Sequence, residues 1–212
     1  MSPDPIVSRK IAEQLLQIKA IILQPDKPFT WASGWISPIY CDNRISLSHP
    51  IVRTYIRQAI VKEIEKNFGK PELIAGVATA AIAQGALVAE AMGLPFVYVR
   101  SSPKDHGREN LIEGEVRNDQ SVVVIEDLIS TGKSSLKAVD ALRNAGCNVK
   151  GMISIFNYSF EQAKQNFEEA QCPLISLCDY NVLIKQAVES GYIKDKELQA
   201  LEQWRTAPEA WG

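Results

Sequence analysis

The 212-residue chain is 46% hydrophobic and 23% charged. These are the proportions of an ordinary globular protein and exclude disordered, collagen-like and disulfide-dense chains. Its 23 basic and 25 acidic residues leave a net charge of −2, without the global basic footprint of a nucleic-acid binder, although a local anion site remains open.

In chain order, Ser8 is placed to cap a first helix in which Ile11, Leu15, Ile18 and Ile22 recur at helical spacing, and Pro25 ends it. The Pro-, Gly-, Ser- and Trp-rich stretch 28–50 is too irregular for a helix and reads as a short hairpin or ordered loop. Pro50 suits the first turn of a second helix, with Ile56, Ala59, Ile60 and Ile64 as its apolar stripe and Gly69 as its stop. A strand–helix rhythm follows: strand 72–77, helix 79–92 ended by Gly93, strand 95–99. The polar segment 100–120 separates these from strand 121–125, helix 131–146, strand 149–156, helix 159–171 and strand 173–178. Two helical pieces, 180–190 and 195–204, finish the chain. Short apolar strands alternating with helices predict an α/β fold, a mostly parallel sheet flanked by helices. We read one domain over 1–212, with N-terminal helices and hood over 1–70, a core over 71–180 and C-terminal helices over 181–212.

Cys41, Cys147, Cys172 and Cys178 include no Cys-x-x-Cys pair, which argues against a zinc or dithiol motif and suits a reducing cytosol. The start MSPDPIVSRK lacks the basic, apolar pattern of a signal peptide. No apolar run approaches the ~20 residues that span a bilayer. The expectation is a cytoplasmic protein with no membrane or nucleic-acid partner.

In sheets of this kind ligands bind beyond the carboxyl ends of the strands, and after the strongest strand the chain reads VVVIEDLISTGKSS (122–135). Ser130, Thr131, Gly132 and Ser134 are small enough for backbone to wrap an anion, and the start of a helix completes a phosphate cradle. Glu126 and Asp127 are placed to accept from sugar hydroxyls or to hold a hydrated divalent cation. A Ser-Thr-Gly turn can equally be a plain helix start, but the adjoining carboxylates and the apolar strand favour the anion site. Gly132-Lys133-Ser134 mimics the end of a P-loop, yet Asp127 stands where that motif needs glycine. The long hydrophilic segment 100–114 carries Arg100, Lys104, His106 and Arg108, cations able to close over a polyphosphate; a solvated surface loop is the alternative. Trp31 and Trp35 could stack on a base, with plain packing at least as good a reading. His49 reads as a surface residue, and Trp204 and Trp211 as packing for the C-terminal segment.

The apolar strand, Glu-Asp pair and Ser/Thr-Gly turn resemble the phosphoribosyl-diphosphate (PRPP) signature of type I phosphoribosyltransferases. FTWASGWISPIYCDNR (29–44) and RSSPKDHG (100–107) narrow the resemblance to the orotate phosphoribosyltransferase family, over most of residues 29–156. The resemblance implies that PRPP is bound by Glu126, Asp127, Leu128, Ile129, Ser130, Thr131, Gly132, Lys133 and Ser134, with the carboxyls on the ribose hydroxyls. It places Arg100, Lys104 and His106 on the pyrophosphate, and Tyr40, Cys41 and Ser130 at the orotate. Lys104 and Asp127 are its catalytic candidates, Mg²⁺ is the cofactor held mainly by PRPP, and a homodimer sharing the loop across subunits is the working unit. Some members carry lysine at the position of Ala32, Tyr-Lys at Thr79-Ala80, a second loop lysine at Ser101 and arginine near Asn157; this chain has none of these. Within the resemblance, transfer to a purine or other base, or a non-catalytic PRPP-sensing role, are the alternatives.

Overall fold

The computed structural model describes residues 3–31, 33–102 and 111–211. Its first helix, α1 (Pro5–Gln17), is capped by Asp4, whose carboxylate accepts from the Ile6 N–H at 2.9 Å. Ser8 is therefore not the cap. It lies inside the helix, and its buried hydroxyl donates to the Leu177 carbonyl at 2.7 Å. The helix also stops well before Pro25, because Lys19 turns left-handed at φ 58°. Ile21–Leu23 then leave as strand β1. Three consecutive apolar residues fit either period, and here the strand wins because a partner is available.

That partner lies across the segment read as hairpin or loop. Strands β2 (Phe29–Thr30) and β3 (Ile36–Ser37) form a short hairpin, and β4 (Ile39–Cys41) pairs antiparallel with β1. A 3₁₀ turn, Asn43–Ser48, leads into α2 (Pro50–Asn67), with Pro50 at its first turn and His49 exposed.

Next come β5 (Leu73–Val77), α3 (Ala81–Met92), β6 (Phe96–Val99) and β7 (Ile112–Glu113). They are followed by β8 (Ser121–Ile129), α4 (Lys133–Asn144), β9 (Asn148–Asn157) and α5 (Glu161–Glu169). The chain ends with β10 (Leu174–Asp179), α6 (Tyr180–Glu189) and α7 (Asp195–Thr206). The two-residue β7, within the segment read as polar loop, was not anticipated. More consequentially, β8 runs four residues past the expected end at 125, so Glu126 and Asp127 are strand residues, and α4 begins at Lys133 rather than 131.

Among the described residues six strands form one sheet in the order β10-β9-β8-β5-β6-β7, parallel except for the antiparallel edge β7. Alternation sorts each strand between two hydrophobic clusters. Val123 and Ile125 pack with residues of α1, α2, α3 and α6, while Val122 and Val124 face α4 and α5. All four are fully buried, each worth roughly 1.5–3 kcal/mol of transfer free energy. Trp204 of α7 is also fully buried, and its Nε1 donates to the Ile36 carbonyl at 3.1 Å, tying the C-terminal helix to the β2–β3 hairpin. From β5 the chain moves to β6 on one side and then to β8 on the other. The topological switch point thus lies between the carboxyl ends of β5 and β8, where open α/β sheets take ligands.

Candidate active site

At the end of β8 the chain must bury a carboxyl. Glu126 is only 5% exposed; one of its oxygens accepts from the Ser135 hydroxyl at 2.7 Å and the other from the Asp127 N–H at 2.9 Å. Burial, and then the neighbouring Asp127 carboxyl, push Glu126 up to about 8. Asp127 is half-buried, and burial raises it too, against the pull of Arg44. Its carbonyl accepts from the Asn43 side-chain amide at 2.6 Å, which clamps the N-terminal hood onto β8.

Between β8 and α4 only Ser130, Thr131 and Gly132 remain as loop. Gly132 has φ +78°, and a Cβ there would meet the Phe167 ring at 2.6 Å, so both backbone and space require glycine. The Asn166 amide holds the Thr131 carbonyl at 2.8 Å. Among the described residues no side-chain hydrogen bond caps α4, which leaves its first-turn N–H groups available to an anion.

Two clefts meet at this point. The acidic cleft, about 290 Å³, brings Arg100, Glu126, Asp127 and Ser134 together with the Thr79-Ala80 turn and Lys137. Arg100 forms an ion pair with Glu113 of β7 at 3.4 Å. Lys137 was not singled out from sequence; it lies one helical turn beyond Lys133, the only signal that could have marked it. The aromatic cleft, about 260 Å³, brings Tyr40, Cys41 and Ser130 together with Thr30, Trp31 and Tyr158. Leu128 borders both clefts. Burial, then Asp127 and Asp42, raise the Cys41 thiol, so it faces the cleft as a neutral group. Trp31 takes the packing role among its sequence readings, against Tyr158 at 5.0 Å and Trp204 at 5.5 Å, and it also lines the cleft.

Of the remaining candidates, Ile129 turns its side chain fully into the core and gives its carbonyl to the Tyr158 N–H at 3.0 Å. Lys133 is exposed on α4. Lys104 and His106, with Arg108 and Ala32, lie outside the described residues. A larger cavity, about 810 Å³, runs along α5 between Ser159 and Pro173. Of the residues named from sequence it includes Asn157 and Cys172; most of the candidate site residues gather instead at the two smaller clefts at the switch point. Among the described residues no cluster of three His, Cys, Asp or Glu side chains could hold a metal ion, and no helix is long and apolar enough to cross a membrane.

An open parallel sheet with paired carboxyls and a small-residue loop at its switch point is the architecture of an α/β protein that binds a phosphorylated ligand. Residues 47–177 match the family model of the phosphoribosyl transferase domain. The chain is 56% identical over 206 residues to the orotate phosphoribosyltransferase of Porphyromonas gingivalis, covering 97% of this chain and 98% of that one. Its fold is similar to the crystal structure of the Aeropyrum pernix orotate phosphoribosyltransferase, with a TM-score of 0.71 at 23% identity, over 83% of this chain and 98% of that one. It also resembles the Mycobacterium tuberculosis orotate phosphoribosyltransferase solved in complex with PRPP, with a TM-score of 0.65 at 23% identity, over 84% and 98% of the two chains. The chain therefore belongs to the phosphoribosyltransferase family and, within it, to the orotate phosphoribosyltransferases.

Proposed function

We propose that the protein transfers the 5-phosphoribosyl group of PRPP to N1 of orotate, giving orotidine 5′-phosphate and pyrophosphate, the phosphoribosyl step of UMP synthesis. The observation that carries this reading is the meeting of the two clefts at Leu128. A polar cleft with paired carboxyls and cations adjoins a neutral aromatic one, so a sugar-phosphate and a flat base can lie end to end. Full-length similarity to orotate phosphoribosyltransferases favours orotate over a purine base. The net charge of −2 argues against a nucleic-acid-bound PRPP sensor.

In this reading the loop Ser130–Gly132 and the start of α4, with Lys133 and Ser134, cradle the 5′-phosphate. Glu126 and Asp127 face the ribose hydroxyls. Arg100, with Lys104 and His106 from the neighbouring loop, meets the pyrophosphate. The C1–oxygen bond breaks with its electron pair leaving on pyrophosphate. N1 of orotate bonds to C1, and its proton departs to water or to pyrophosphate. Positive charge develops on the ribose, as in glycoside chemistry, and the Asp127 carboxylate lies where it can stabilise that charge. Mg²⁺ is held mainly by the PRPP phosphates; the half-buried Asp127 offers the hard oxygen the ion prefers, and when bound the ion supplies charge stabilisation of the departing pyrophosphate.

Closure of the loop over the site excludes water that would otherwise capture the sugar. We infer a homodimer as the working unit, with that loop shared between subunits. The 82% exposed Ile51 at the start of α2 is the kind of apolar group that self-association covers. The free thiols at all four cysteines suit a cytoplasmic setting.

The test is loss of orotate absorbance in the presence of PRPP and Mg²⁺, with uracil and adenine as control bases. Orotate-specific, metal-dependent loss is the expected result. PRPP binding without turnover of orotate would overturn the assignment.

A further inference from the structure

Tyr158 follows directly on β9, and its ring is held from several sides. It lies 5.0 Å from Trp31, 5.3 Å edge-on from Phe156, 5.5 Å and stacked on Phe160, and 5.7 Å edge-on from Trp204. Its N–H is fixed to the Ile129 carbonyl. The residue is only 2% exposed, yet among the described residues its hydroxyl makes no hydrogen bond. The other deeply buried tyrosine, Tyr180, behaves as expected and donates to the Leu201 carbonyl at 2.9 Å. The Tyr158 hydroxyl is not among the buried polar atoms that lack a partner, so it stays open to the aromatic cleft, which Tyr158 lines beside Tyr40, Cys41 and Ser130.

We propose that Tyr158 is a specificity-determining residue whose hydroxyl donates a hydrogen bond to an acceptor oxygen of the pyrimidine base bound in that cleft. The proposal rests on the reading of the aromatic cleft as the base compartment. Burial, reinforced by Cys41, Tyr180 and Asp127, raises the phenol well above its ordinary range, so it stays protonated and serves as a donor. Among the described residues, those lining the cleft include no lysine, arginine or histidine. What these residues offer an anionic base is hydroxyls, backbone groups and stacking. A hydroxyl on a ring that its neighbours cannot release is pre-organised for this task, because little freedom remains to be lost on binding.

Tyr158→Phe keeps the ring and its packing and removes the hydroxyl alone. The expected result is a KM for orotate raised about 10- to 100-fold, the range for a hydrogen bond to a charged group. The KM for PRPP and the melting temperature should stay at wild-type values. An unchanged orotate KM overturns the proposal. So does a parallel shift in both KM values and the melting temperature, which marks a structural role. Wild-type turnover of orotate, measured in the same assay, separates the two levels: its absence sinks the assignment of the reaction and this proposal with it. Normal wild-type turnover with an unaffected variant sinks the role of the hydroxyl alone.

Discussion

Glu126→Gln should make the ligand-free protein more stable at alkaline pH. The wild-type carboxyl titrates at about 8 because burial and Asp127 oppose its charge. A carboxyl raised in this way binds its proton more tightly in the folded chain than in the unfolded one. Its contribution is therefore most favourable below the unfolded value and is lost as the pH climbs through the folded value. Moving from the ordinary 4.5 to about 8 corresponds to at most ~5 kcal/mol at pH above both. Relaxation and water entry around the half-buried Asp127 reduce this to ~2 kcal/mol. Glutamine preserves the geometry, since its oxygen can still accept from the Asp127 N–H and its amide can donate to Ser135. Urea unfolding of both proteins from pH 5 to 9 is the assay: the stability difference should be near zero at pH 5 and reach ~2 kcal/mol in favour of the variant at pH 8.5. In the proposed reaction the same exchange raises the KM for PRPP, because an amide replaces a carboxyl that faces the ribose hydroxyls. A difference that is flat with pH, or that favours wild type at pH 8.5, would refute the reasoning.

Gly132→Ala combines a left-handed backbone, costing ~1–2 kcal/mol, with a Cβ 2.6 Å from the Phe167 ring, costing ~1–3 kcal/mol more. A lower urea midpoint and a raised KM for PRPP are expected. Trp204→Phe removes the bond to the Ile36 carbonyl and should cost ~1 kcal/mol of stability; steady-state kinetics should show a larger rise in KM for orotate than for PRPP. Lys104→Ala should lower kcat more than tenfold, about 1.4 kcal/mol in barrier, and a smaller effect would remove loop closure from the mechanism.

The α/β core was legible because its strands are short runs rich in β-branched residues and two of its helices, α3 and α4, stop at glycines. Gly93 and Gly146 do adopt the left-handed conformation expected of helix stops. The signature at 122–135 was legible as chemistry because small residues next to paired carboxyls have few structural uses. What escaped the sequence depended on distant partners. Glu126 looked like the residue after a strand because it is charged; it lies within β8 because Ser135, on the following helix, supplies its hydrogen bond. The first helix looked longer than it is because Ile22 fits its stripe, whereas β4 offers Ile22 a pairing with Tyr40.

The same contrast separates the two clefts. The acidic cleft comes largely from the ends of core elements β5, β6, β8 and α4, with its carboxyls and small residues together in one stretch, so its residues announce themselves as motifs. The aromatic cleft is assembled from segments far apart in the chain. Thr30, Trp31, Tyr40 and Cys41 arrive from the hood, Ser130 from the β8–α4 loop and Tyr158 from the end of β9. Trp204 braces that assembly from α7 through the Ile36 carbonyl, and Asn43 pins the hood to the Asp127 carbonyl. In the proposed reading, recognition of the base therefore depends on long-range packing in a way that the phosphate cradle does not. Mild destabilisation of the hood or of α7 should erode base selectivity before it erodes binding of the phosphorylated sugar.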